Sequence, residues 1–216
     1  FEVSNSIVIL DERREQLFEE YSINQVILHS PYPNDPLLGL IDYLHRSDDW
    51  KLICFDDSGL VFKKTEEEGL SALTPWVRPG IQDPQLASVQ LEKLLRDYPS
   101  STGFVMLSEA LRSLQRLPEA MSAAQKALEL DPDSLAACLE LAYSSSQLQK
   151  ADLLLLAAKQ GLKIEPESAL MNYFLGLALY LDPSTTTQVD DIQSHLQRAL
   201  ELDPQLRQAA QLSEMI

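Results

Sequence analysis

The sequence predicts an array of helical repeats preceded by a small α/β domain, and three observations carry that expectation. First, a short pattern ending in proline recurs three times: Ala127-Leu128-Glu129-Leu130-Asp131-Pro132, Gly161-Leu162-Lys163-Ile164-Glu165-Pro166 and Ala199-Leu200-Glu201-Leu202-Asp203-Pro204. Prolines 132 and 166 lie 34 residues apart, and the next lies 38 further on. Second, Leu107-Ser108, Leu141-Ala142 and Leu175-Gly176 recur at 34 residues in both steps. Each couples a bulky apolar residue to a small one, as packing requires where two helix backbones approach. Third, residues 1–64 lack this period and alternate short β-branched runs with helix-prone stretches. Internal periods are weighed first because they decide the architecture.

The elements follow in chain order. Ile7-Val8-Ile9-Leu10 reads as a strand, Glu12 to Tyr21 as a helix and Val26-Ile27-Leu28 as a second strand. Asp35-Pro36 opens a helix with Leu37, Leu40, Ile41 and Leu44 on one stripe. Trp50 to Phe55 and Leu60 to Lys63 alternate as strands around the hairpin turn Asp56-Asp57-Ser58-Gly59. Residues 1–64 thus form the α/β domain. Residues 65–82, with Glu66-Glu67-Glu68 and prolines 75 and 79, form a linker whose Trp76 reads as an anchor packed on a neighbour. The helical domain spans 83–216. Asp83-Pro84 opens its leading helix, which runs to about Asp97; repeats follow at about 101–134, 135–168 and 169–206, with a closing helix at about 205–215. Leu117-Pro118-Glu119 starts a second helix with proline where its missing N–H costs nothing. The extra four residues of the third repeat fall in the turn-rich stretch Asp182 to Thr187, where a longer surface loop is cheap.

These repeats resemble the tetratricopeptide repeat (TPR), a 34-residue helix-turn-helix unit. The matching positions are Phe104-x2-Leu107-Ser108-x2-Leu111 with Ala120, Ala124, Ala127 and Pro132, then Cys138-x2-Leu141-Ala142 with Ala158, Gly161 and Pro166. The third set is Asn172-x2-Leu175-Gly176-x2-Leu179 with Leu196, Ala199 and Pro204. No repeat keeps the family's tryptophan, and only one keeps its glycine. The resemblance implies an α-helical TPR solenoid of three helix-turn-helix repeats plus flanking helices. It also implies a concave groove lined by the first helix of each repeat. Carried over by register, the groove takes Thr102, Val105, Glu109 and Arg112 from repeat one. Repeat two gives Ala136, Leu139, Tyr143 and Ser146, and repeat three gives Leu170, Tyr173, Leu177 and Tyr180. The family's best-known mode clamps a C-terminal carboxylate with Lys, Asn and Arg, and that set is missing here. What remains is apolar and aromatic, the composition of a binding hot spot for a protein or peptide. The competing reading fills this groove with the chain's own linker around Trp76.

The front third carries a looser resemblance. Leu17 to Leu28, Leu40-x3-Leu44 and Trp50-Lys51-Leu52-Ile53-Cys54-Phe55-Asp56-Asp57 look like the soluble C-terminal tail of bacterial membrane proteins similar to dolichyl-phosphate-mannose-protein mannosyltransferases. That resemblance implies an extracytoplasmic fragment of a membrane-embedded, glycosyltransferase-like protein. Catalysis in such proteins belongs to loops between membrane spans, so this stretch would not be the enzyme. The chain begins at Phe1 rather than Met, which reads as a processed chain or an excised piece.

Charge narrows the partners. Seventeen basic against 33 acidic residues give a net charge of −16, spread evenly along the chain. Nucleic-acid binding needs a basic face, and docking on an anionic membrane needs the same, so both are disfavoured. Contact with a membrane would come only through segments upstream. Exposed ends of repeat arrays stack when their caps are weak, which allows a homo-oligomer.

Signatures of chemistry are absent: no G-x-G-x-x-G, Walker loop, H-E-x-x-H, G-x-S-x-G or C-x-x-C occurs. No cofactor, metal or catalytic residue is expected. Cys54 and Cys138 read as two buried thiols. Asp191 and His195 share a helix face but read as a solvated pair, because no third ligand is in view. Asp56-Asp57 is explained by turn chemistry, and His29-Ser30 at a strand end stands in no recognisable catalytic motif. The expectation is therefore a non-catalytic protein–protein interaction module with its groove at Val105, Glu109, Arg112, Leu139, Tyr143, Tyr173, Leu177 and Tyr180. Its expected place is the extracytoplasmic face of a bacterial membrane. The alternatives are a free-standing soluble TPR adaptor, and a small-ligand or sugar site on the α/β domain near His29 and Asp56; the alternative location is cytoplasmic.

Overall fold

A computed structural model describes residues 14–29, 37–65, 69–70, 83–182 and 189–216, with backbone alone for residues 37 and 38. The expected strand at Ile7–Leu10, the anchor Trp76 and the inserted turn after Asp182 lie outside the described residues. The chain forms two compact units, Phe1–Met106 and Leu107–Ile216.

In the first unit, α1 (Arg14–Glu20) leads into β1 (Gln25–His29), α2 (Leu37–Arg46), β2 (Trp50–Phe55) and β3 (Gly59–Lys64). The sheet has the order β1-β3-β2 and is antiparallel throughout, with Ile27 opposite Val61 and Leu52 opposite Phe62. Its core is aromatic: Phe18, Trp50, Phe55 and Phe62 are fully buried, and the Phe18 and Trp50 rings lie 5.0 Å apart. A bulge between Leu52 and Cys54 breaks the alternation of β2, so Phe55 points inward where strict pleating would bury Cys54. This corrects one expectation. Cys138 is buried, but Cys54 is only half-buried, because a single extra residue turns it off the core face.

Helix α3 (Pro84–Asp97) starts as its sequence dictates: the Asp83 carboxylate accepts the Leu86 N–H at 3.0 Å, and Pro84 occupies the first turn. It buries Ala87, Leu91, Leu94 and Leu95, and its Gln90 side chain donates to the Gly69 carbonyl at 3.2 Å. The Leu70 N–H in turn donates to the Leu52 carbonyl, 2.7 Å. Compactness therefore groups residues 83–106 with the sheet, whereas the 34-residue period already begins at residue 101.

The period is carried by α4 (Ser101–Ser113), α5 (Leu117–Leu130), α6 (Leu135–Gln147), α7 (Ala151–Ile164), α8 (Ala169–Leu181), α9 (Val189–Leu202) and the closing α10 (Arg207–Met215). Three serines at 34-residue intervals cap the first helices. Ser100 Oγ accepts from Gly103 N, Ser134 Oγ from Ala137 N and Ser168 Oγ from Met171 N, at 3.1, 3.3 and 3.5 Å. Two of these helices, α4 and α6, also stop alike. Gln115 and Gln149 take left-handed φ angles of 60° and 53°, and the next N–H reaches back five residues, from Arg116 to Leu111 and from Lys150 to Ser145.

Small residues set the spacing between helices: Ala120, Ala124 and Ala127 on α5, and Ala157, Ala158 and Gly161 on α7, are all buried. A Cβ on Gly161 would stand 2.5 Å from Met171 Sδ, so α7 and α8 meet as closely as the sequence allows. Among the described residues no helix is long and apolar enough to cross a membrane.

Candidate functional site: the first-helix face of the repeats

Side chains three and four apart on α4, α6 and α8 share one face. On it Glu109, Arg112, Leu139, Tyr143, Tyr173 and Leu177 are half-buried, and Tyr180 is 45% exposed. Val105 is half-buried on α4 but belongs to the first compact unit. Thr102, Ser146 and Leu170 are half-buried, and Ala136 is exposed.

These residues are joined by contacts that their spacing alone did not announce. Arg112 forks onto Glu140, Nε to Oε2 at 3.0 Å and Nη2 to Oε1 at 3.1 Å. Glu140 is only 8% exposed, and Ser108 Oγ, which donates to the Ala120 carbonyl at 2.9 Å, lies 3.5 Å from the same carboxylate. The Arg112 guanidinium also sits 5.1 Å from the Tyr143 ring centroid. Tyr143 meets Phe174 edge-on at 5.1 Å, and Phe174 meets Tyr173 at 5.2 Å. A row from Glu140 through Arg112, Tyr143 and Phe174 to Tyr173 thus crosses three helices. Tyr173 and Leu177 pack against the buried core of α6–α8 and that of α9–α10, so they hold the fold as well as face outward.

Electrostatics follow the geometry. The hydrogen bond from Arg112 to Glu140 raises the arginine's affinity for its proton, against the opposing effect of burial. Burial, then the neighbouring Glu140, push the Glu109 carboxyl above its usual range, while Arg112 pulls it back. Burial also raises the Tyr173 phenol, with Tyr143 adding to it.

Sequence reasoning missed Glu140 and Phe174. The signal for Glu140 was a carboxylate between Leu139 and Leu141 on a helix whose neighbours point inward; its partner stands 28 residues earlier, which no local pattern reveals.

The other flagged residues have structural roles. Asp56 Oδ1 accepts from Ser58 N at 2.7 Å and Gly59 N at 3.0 Å, a turn device. Asp57 does something the hairpin does not require: its two oxygens accept the N–H groups of Ser101 and Thr102, each at 2.8 Å, and so cap α4. His29 ends β1 opposite Gly59. A cavity of about 220 Å³ in this unit is lined by residues of β2, α3 and Gly69-Leu70, and its lining includes neither His29 nor Asp56. Asp191 is exposed, and burial lowers the pKa of His195 while Asp191 raises it. Among the described residues no group of three potential metal ligands occurs. Burial pushes the Cys138 thiol up to about 11, which makes it a poor nucleophile.

The fold is that of a TPR solenoid, preceded by a small α/β part with a three-stranded sheet. Among solved structures it is similar to MamA from Desulfovibrio magneticus RS-1, at TM-score 0.55 and 22% identity, covering 62% of this chain and 74% of that one. It is likewise similar to YrrB, described as a TPR protein with an unusual peptide-binding site, at TM-score 0.54 and 20% identity. There the match covers 61% of this chain and 66% of the other. Identities this low speak for the fold alone. No protein-family model matches the sequence, and no curated protein does.

Proposed function

We propose that this chain is a non-catalytic protein–protein interaction module that binds a protein or peptide segment on the first-helix face of its repeats. One observation carries the reading: Tyr143, Tyr173, Leu177 and Tyr180 form a partly exposed aromatic and apolar strip on adjacent first helices, braced from below by Phe174. Rigid aromatic side chains already held in place lose little entropy on binding, the property of interface hot spots. The peptide-binding site named for YrrB supports the same use of the fold.

The test is a random dodecapeptide library displayed on phage and selected on the whole chain. Tyr180→Ser combined with Leu139→Ser should weaken the selected peptides by tenfold or more, since these side chains are outside the deepest core. Unchanged affinity in that variant sinks the assignment. Tyr173→Ser with Leu177→Ser should abolish binding too, and its melting curve shows whether the fold survives.

The wider setting is part of the proposal. The resemblance of residues 1–64 to the tails of mannosyltransferase-like membrane proteins supports an extracytoplasmic module that holds a partner near the membrane face. Several spans of about 20 apolar residues encoded upstream of Phe1 would agree with it. A start codon immediately upstream would replace it with a free-standing adaptor.

A further inference from the structure

The charge pattern of the strip points to the chemistry of its occupant. Among the described residues of this face Arg112 is the cation, yet its Nε–Nη2 edge is held by Glu140 and its flat side lies against Tyr143. A carboxylate arriving from a partner would be left with the outer Nη1–Nη2 edge of that guanidinium, beside two carboxylates, Glu140 and Glu109, that already outnumber it. Glu109 is in the opposite situation. It stands one turn before Arg112, is half-buried, and its carboxylate makes no hydrogen bond or ion pair among the described residues; only its backbone carbonyl is engaged, by Ser113 Oγ. Two carboxylates against one guanidinium leave this end of the strip with a surplus negative charge. Partial desolvation that Arg112 offsets only in part makes Glu109 the group with most to gain from an incoming cation.

We infer that the strip takes a peptide segment in which a lysine or arginine meets Glu109 while flanking apolar side chains lie along Tyr143, Tyr173, Leu177 and Tyr180. The inference rests on the interaction reading above and adds the partner's chemistry. A segment offering a carboxylate at this point is disfavoured, because it would set a third carboxylate against the single guanidinium of Arg112.

The experiment uses acetylated, amidated versions of the selected dodecapeptides, measured by fluorescence polarisation on the native chain and on Glu109→Gln. Glutamine keeps the shape and removes the charge, and an unchanged or higher melting temperature confirms that the variant folds. The selected peptides should carry Lys or Arg between apolar residues. Each should lose about tenfold in affinity on Glu109→Gln. Replacing the peptide's basic residue with Gln should cost the same, with no further loss when both changes are combined. Affinity should also fall with added salt. Peptides that depend on Tyr180 and Leu139 but lack basic residues, or ignore Glu109→Gln, would overturn this inference and leave the groove intact. Peptides indifferent to Tyr180→Ser with Leu139→Ser, or no binders at all, would remove the groove itself and this inference with it.

Discussion

The two compact units bury their apolar surface by different means. In the first, a few large side chains from distant parts of the chain meet: Phe18 of α1 against Trp50 of β2, with Phe55 and Phe62 beside them. In the second, small residues recurring every 34 positions let successive helices approach, and each helix packs chiefly on its neighbours in sequence. One unit concentrates its stability in non-local contacts; the other spreads it over a ladder of local ones. A large loss at one point should therefore be fatal in the first and tolerable in the second.

The largest effect should come from Trp50→Ala. Removing a side chain that is 1% exposed costs about 3–5 kcal/mol, enough to unfold a unit of this size. Hydrogen exchange should show protection lost across residues 50–64 and kept across the helices at 135–181 and 189–202. Simultaneous loss in both would break the comparison. Next comes Arg112→Ala, expected to cost about 2 kcal/mol in urea unfolding, because it strands the Glu140 carboxylate; the pair's partial exposure keeps the figure below that of a fully buried one. The double change Arg112→Met with Glu140→Leu should recover most of that.

Ser145→Ala should move the other way, by about 0.5–1 kcal/mol of added stability. Its hydroxyl is buried with no hydrogen-bond partner among the described residues, at a position where the flanking repeats carry Leu111 and Leu179. The smallest effect is a pH dependence. Burial in the folded chain raises the Glu109 pKa above the ordinary 4.5 of a glutamate, so the folded chain holds that proton more tightly, and the ionised form costs stability at neutral pH. Glu109→Gln should therefore melt higher than the native chain at pH 7. The gap should narrow as pH falls through the folded pKa and close below 4.5.

The periodic unit was also the legible one. A residue's role in the array is repeated 34 positions on, so one correct register places three helices at once. The capping serines 100, 134 and 168 are equally periodic, but a serine marks a cap only once the start of its helix is fixed. In the front unit the elements could be read from alternation and turn residues. The bulge at β2 could not, since nothing in Trp50-Lys51-Leu52-Ile53-Cys54-Phe55 marks which residue is extra. Of the site, the shared face of Tyr173 and Tyr180 follows from helical spacing. The Arg112–Glu140 fork does not, because it joins two helices through a tertiary approach.

Asp57 bears on where this molecule can be cut. Its carboxylate supplies the partners for the first N–H groups of α4, although it lies in the hairpin 44 residues upstream. A protein trimmed to begin at residue 83 would keep every repeat by sequence and still start its first repeat helix with donors that have lost their acceptor. Fraying would then begin at Ser101 and Thr102, the turn that leads toward Val105 and Glu109. The repeats are thus less portable than their period suggests, because the first of them borrows its beginning from the hairpin.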